Sequence, residues 1–223
     1  MNLAAATSTN VPEHVFWLAS RAAGVVAVAM MTLSVILGLI QGGRLPLGIK
    51  ARDLTRIHEF ASLATIVAIL AHGALLLADP WLKPTFGQIL VPFTLDFKSF
   101  YTGLGIVGAW VAVILGLSYY ARDHIGIKRW KTLHRFTIVA YALSVVHVFG
   151  AGTDAQATWL KAPLLASVGV VTALFVLRVS STRKLSRPAP RPAQPAAPVQ
   201  SRATPPVPRP PAHPARRSAQ AAP

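Results

Sequence analysis

His58-Glu59-Phe60-Ala61-Ser62-Leu63-Ala64-Thr65-Ile66-Val67-Ala68-Ile69-Leu70-Ala71-His72-Gly73-Ala74-Leu75-Leu76-Leu77 decides the fold. As a helix rising ~1.5 Å per residue, the segment covers ~30 Å, the thickness of a hydrocarbon core. Glu59 sits at its margin, and its only other ionisable side chains are two histidines. Four more blocks have the same character: Val15–Ile40, Tyr101–Tyr120, Leu133–Gly150 and Trp159–Val179. The pattern predicts an all-α chain, a polytopic membrane helix bundle of about five transmembrane helices over residues 15–180.

Composition agrees with that reading. The 223 residues are 53% hydrophobic and 13% charged, with the apolar residues gathered in long blocks. The net charge of +15 does not point to nucleic acid, because most of it lies in short loops and at the C-terminus. Arg44, Lys50, Arg52 and Arg56 fill the first loop, and Arg122, Lys128, Arg129 and Lys131 fill the third. Arg178, Arg183, Lys184 and Arg187 follow or end the fifth span, whereas the second and fourth loops are nearly free of basic residues. The positive-inside rule then places the N-terminus outside and the C-terminus in the cytoplasm, and the expected location is a bacterial plasma membrane. The absence of cysteine excludes disulfides, thiolate haem ligation and cysteine-held iron–sulfur clusters.

Three segments lie outside the spans. Residues 1–14 are small and polar, a flexible N-terminus. The second loop, Asp79 to Phe100, carries Pro80, Trp81, Phe86, Pro92, Phe93 and Phe97, which suits the outer interface better than open water. Residues 181–223 are rich in Pro, Ala and Arg and cannot build a core, so a disordered tail attracted to anionic lipid is expected.

The chemistry lies in four histidines. His58 and His72 are fourteen apart on the second span; His134 and His147 are thirteen apart on the fourth. Ionisable groups at membrane depth are costly and normally face a partner inside the bundle. The two spans run in the same direction, which levels His58 with His134 on the cytoplasmic side and His72 with His147 toward the outside. Neutral imidazoles from facing helices are the ligands of a low-spin haem iron, so the arrangement suggests two stacked bis-histidine haems about 21 Å apart. Fourteen residues return within ~40° of the same helix face, but thirteen miss by ~140°. The fourth span therefore needs a bend between His134 and His147, or a ligand outside regular helix. Arg21, the one charge inside the first span, either snorkels to the outer interface or meets a propionate of the outer haem. His14, His124 and His213 lie in termini or a charged loop and are read as solvated.

Gly103-Leu104-Gly105-Ile106-Val107-Gly108 matches a dinucleotide fingerprint but lies inside an apolar span, so it fails the strand–turn–helix context that chemistry needs. Gly105, Gly108, Ala109, Ala112 and Gly116 instead suit close helix packing.

With Ser20-Arg21 and Gly24, His58 and His72, Trp130-Lys131-Thr132-Leu133-His134, and His147 followed by Gly152-Thr153-Asp154, the chain resembles the ferric reductase-like transmembrane domain family. This is the haem-bearing part shared with NADPH oxidases and bacterial haem-containing membrane reductase subunits. The resemblance covers roughly residues 15 to 180. It implies haem-iron ligation by His58 with His134 and by His72 with His147, and an oxidoreductase role passing electrons outward. No FAD- or NAD(P)H-binding domain follows the fifth span, so electrons are expected from a separate flavoprotein, from quinol, or from a flavin bound at the membrane. The acceptor is expected at the outer face. A haem subunit of periplasmic methionine sulfoxide repair and a haem-free membrane scaffold are the competing readings.

Overall fold

The computed structural model describes residues 15–43 and 48–185, with side chains up to residue 180. The N-terminal segment, the proline-rich tail, His14 and His213 lie outside the described residues. Eight helices follow one another: α1 (Val15–Gly43), α2 (Ala51–Leu77), α3 (Phe86–Leu90), α4 (Ser99–Leu117), α5 (Arg122–Ile125), α6 (Ile127–His134), α7 (Thr137–Ala151) and α8 (Thr158–Leu185). Among the described residues there is no strand. Five spans are long and apolar enough to cross a membrane: α1, α2, α4, the α6–α7 unit, and α8 up to Ser180. The all-α membrane bundle read from the sequence is the architecture found.

Helices outrun the apolar blocks where polar residues continue them. α2 begins at Ala51 rather than at His58, because Arg52, Asp53 and Arg56 make a charged first two turns that can project beyond the hydrocarbon. α8 likewise runs on past Val179 to Leu185. Hydropathy marks the part of a helix that lipid surrounds, whereas the hydrogen-bond ladder ends only where the backbone turns.

α1 is the central element. It packs along α2 and also meets α7 and α8, while α4 packs along α7 and touches α2. Met31 and Leu39 of α1, Tyr141 of α7 and Val171 of α8 form the buried heart of the bundle. Two polar links cross it: Ser34 Oγ to Ser62 Oγ at 2.7 Å joins α1 to α2, and Tyr141 Oη to Ser167 Oγ at 2.8 Å joins α7 to α8. Where no water competes, each is worth on the order of 1 kcal/mol. The outward surface is apolar, with Phe60, Val67, Leu70, Ile114, Leu165 and Val176 exposed along the spans. In a soluble domain such a surface would aggregate; around a bundle it meets lipid chains.

The second loop folds back instead of lying flat. Thr85 and Gln88 form a capping box that starts α3, and buried Asp79 accepts hydrogen bonds from the Trp81 and Leu82 amides. Trp110 Nε1 donates to the Leu90 carbonyl at 2.9 Å, tying this segment to α4. The loop thereby becomes a cover over one end of the bundle.

Candidate functional site

Five consecutive spans place alternate connections at opposite ends. Residues 48–50, the α5–α6 segment and the end of α8 share the basic end; the loop 78–98 and the α7–α8 connection share the far end.

α1 positions both histidines of α2 by the same device used twice. Ser20 and Gly24 face His72, and Ser34 and Gly38 face His58. His72 Nδ1 bonds the Ser20 carbonyl at 2.8 Å, and His58 Nδ1 bonds the Ser34 carbonyl at 2.9 Å. Each serine hydroxyl also reaches the same ring nitrogen, at 3.0 and 3.2 Å. A Cβ on Gly24 would meet the His72 ring at 3.2 Å, and one on Gly38 would meet His58 at 3.3 Å. α1 and α2 are antiparallel, so histidines fourteen apart need carbonyl–glycine pairs fourteen apart, and the sequence supplies them. This Ser-x-x-x-Gly repeat went unread in the sequence; its equal spacing was the signal available.

α4 treats His147 the same way. His147 Nδ1 bonds the Tyr101 carbonyl at 2.9 Å, and four residues on, a Cβ at Gly105 would collide with the imidazole. With Nδ1 donating to a carbonyl, Nε2 of each ring is left with its lone pair free to bind a metal. The glycine fingerprint inside α4 is thus a packing surface: Gly105 admits His147, Gly108 admits Leu143, and Gly116 admits Ile66.

His134 is held differently. It is the last residue of α6, and α7 starts only at Thr137, with Arg135 and Phe136 forming the break. That break resolves the ~140° mismatch between residues thirteen apart on a regular helix. His134 Nδ1 is buried beside the Leu115 carbonyl without a fully formed hydrogen bond. Trp130, one turn earlier, stacks on the ring with centroids 5.1 Å apart and planes 29° apart.

The four side chains meet in two pairs. The His58 and His134 ring centroids are 6.1 Å apart with planes at 85°, and those of His72 and His147 are 6.4 Å apart at 74°. Two imidazoles bound to opposite sides of one metal through nitrogens ~2 Å from it would have centroids about 6 Å apart. Among the described residues no group of three or more His, Cys, Asp or Glu could hold a bare ion. Two facing imidazoles suit a cofactor that brings its own equatorial ligands, and the donor set fits a haem.

A cavity of about 580 Å³ opens beside the far-end pair, in the usual size range for cofactor sites. His72, His147, Gly24, Gly105, Met31 and Trp110 line it, and Phe86, Gln88 and Ile89 of α3 cover it. Arg21 and Asp154 stand on its wall as an ion pair, and the Arg21 guanidinium lies 4.3 Å from the Trp17 ring centre. Of the two expectations for Arg21, the structure adds a third partner: Asp154, 133 residues away, which sequence spacing could not reveal. At the basic end the Arg178 guanidinium lies on Gly42 and its Nη1 donates to the Gly38 carbonyl at 3.5 Å. Arg178 thus stands beside the glycine that faces His58, a placement that its position at the end of an apolar block did not disclose.

The model of the family described as "Ferric reductase like transmembrane component" matches residues 23–145. No curated protein and no solved structure matched the chain.

Proposed function

Because this chain belongs to the ferric reductase-like transmembrane component family, with a role in transmembrane electron transfer, we propose that it conducts electrons as a bis-histidine di-haem b protein. The reading rests above all on two facing imidazole pairs with ring centroids 6.1 and 6.4 Å apart. Haem, when bound, supplies an iron that takes and gives one electron at a time. His58 with His134, and His72 with His147, would hold it through Nε2.

The protein's own part is to fix those rings and keep water away. The Ser20, Ser34 and Tyr101 carbonyls accept from Nδ1, which holds three imidazoles in one tautomer and one tilt. Two imidazoles at each site would leave a bound haem iron without a vacant position, which would favour electron passage over binding of oxygen at the iron. Val28, Met31, Ile69 and Val113 make the far-end wall apolar, and Arg21 with Asp154 gives it one polar edge where a propionate could meet the guanidinium. The basic loops face the cytoplasm, and electrons enter there from a separate flavoprotein, from quinol or from a flavin at the membrane. They leave to an acceptor at the outer face, beneath the α3 cover. The membrane is that of a bacterial cell.

A reduced-minus-oxidised absorption spectrum of detergent-purified protein, with haem quantified per chain, tests this reading. Two b-type haems per chain are expected. A colourless protein from haem-replete cells would overturn it and favour a haem-free scaffold.

A further inference from the structure

Three of the four histidines are fixed by a carbonyl on one side and a glycine four residues later: Ser20 with Gly24, Ser34 with Gly38, and Tyr101 with Gly105. Continuing the α4 register by fourteen residues leads to Leu115, whose carbonyl faces His134 without a fully formed hydrogen bond to Nδ1, and to Tyr119, where the other sites have glycine. Tyr119 instead packs edge-on against Trp130 with centroids 5.9 Å apart, and Trp130 stacks on His134 at 5.1 Å. Residues 130 and 134 share one face of α6, so helix geometry itself places the indole against the imidazole. Trp130 Nε1 is also buried without a partner.

We propose that Trp130 is the positioning residue of His134, supplying with a stacked indole the hold that a full backbone hydrogen bond gives the other three rings. The stack sets the plane of His134 nearly perpendicular to that of His58, at 85°. It acts at the basic-end pair alone, because the far-end pair has its own carbonyls and glycines. This rests on the haem reading above, and it adds a prediction that reading does not make.

Perpendicular imidazole planes on low-spin ferric iron give a highly anisotropic electron paramagnetic resonance signal, and rotation of one ring shifts it. The test records these spectra for the wild-type full chain, for Trp130→Phe and for Trp130→Met, with the two signals assigned by their loss in His134→Ala and His147→Ala. Trp130→Met is expected to shift or abolish the basic-end signal while the far-end signal stays in place as proof of the fold. Trp130→Phe, which keeps a stacking ring, is expected to retain both. An unmoved basic-end signal in Trp130→Met would overturn the proposal, and so would an equal shift in Trp130→Phe. Loss of both signals in both variants would make Trp130 a general fold residue and overturn it as well. A wild-type protein that carries no haem would sink the underlying reading first, an outcome distinct from the others.

Discussion

The two histidine pairs have nearly the same ring separation, 6.1 and 6.4 Å, yet they are built by different means. At the far end, both rings donate to backbone carbonyls, both press on glycines, and a lined cavity opens beside them. At the basic end, only His58 has that support; His134 hangs from a helix terminus and leans on Trp130. A backbone hydrogen bond needs a straight neighbouring helix in the right register, whereas stacking needs only a ring one turn away. The second means therefore tolerates the break at Arg135 and Phe136 that thirteen-residue spacing imposes. The far end is a pocket fixed by its walls; at the basic end the backbone holds one ring and a stacked side chain the other.

The largest expected effect comes from removing a ring. His147→Ala or His72→Ala should reduce haem from two per chain to one, measured by pyridine haemochrome, with the basic-end spectrum retained. Loss of both haems would mean that the two ends do not form independently. Next comes filling a cradle. Gly105→Val forces a side chain into the His147 imidazole and should destabilise the far-end site by about 1–3 kcal/mol, seen as haem loss on mild heating. Gly24→Ala, whose Cβ would stand 3.2 Å from His72 Nδ1, should cost less. Equal losses would show that the two helices do not hold their rings as described.

A smaller effect is expected from the ion pair on the cavity wall. Asp154→Asn removes a negative charge near the far-end pair and should raise its midpoint potential, whereas Arg21→Gln should lower it; a redox titration reads both. The side chains are 32% and 23% exposed, so the loss of fold stability should stay within about 1 kcal/mol. Potentials moving in the same direction would place the pair too far from the site to act on it. The smallest effect belongs to Ser34→Ala, because the Ser34 carbonyl still accepts from His58 Nδ1 after the hydroxyl is gone. Its haem content should be unchanged.

Much of this molecule was legible in its sequence because membrane burial writes plainly. Five apolar blocks gave five spans, and histidines among leucines stood out as buried polar groups. The pairing of His58 with His134 and of His72 with His147 followed from helix direction alone, and the structure brings those side chains together. The ~140° mismatch at the fourth span marked a break without locating it, since Arg135 and Phe136 have no helix-breaking character of their own. Arg21 with Asp154, and Arg178 on Gly42, required knowledge of what α1 touches, and its meeting with α8 and with the α7–α8 connection is a property of the packed bundle. The Ser-x-x-x-Gly repeat lay between these cases: it was printed in the sequence, but it acquired meaning only once α1 and α2 were aligned antiparallel.

The stacking of the pairs along the bundle has an electrical consequence. Positions fourteen residues apart on α2 are ~21 Å apart, roughly two thirds of the hydrocarbon thickness. A unit charge crossing that distance moves through a corresponding share of the transmembrane voltage, about 1.6 kcal/mol per 100 mV. On the proposed reading, with the basic loops inside, an electron travelling outward would descend that field in an energised cell, and its passage would discharge the membrane like a conductor across a capacitor. In sealed vesicles its rate should therefore respond to an imposed voltage, rising when the interior is made negative and slowing when the sign is reversed.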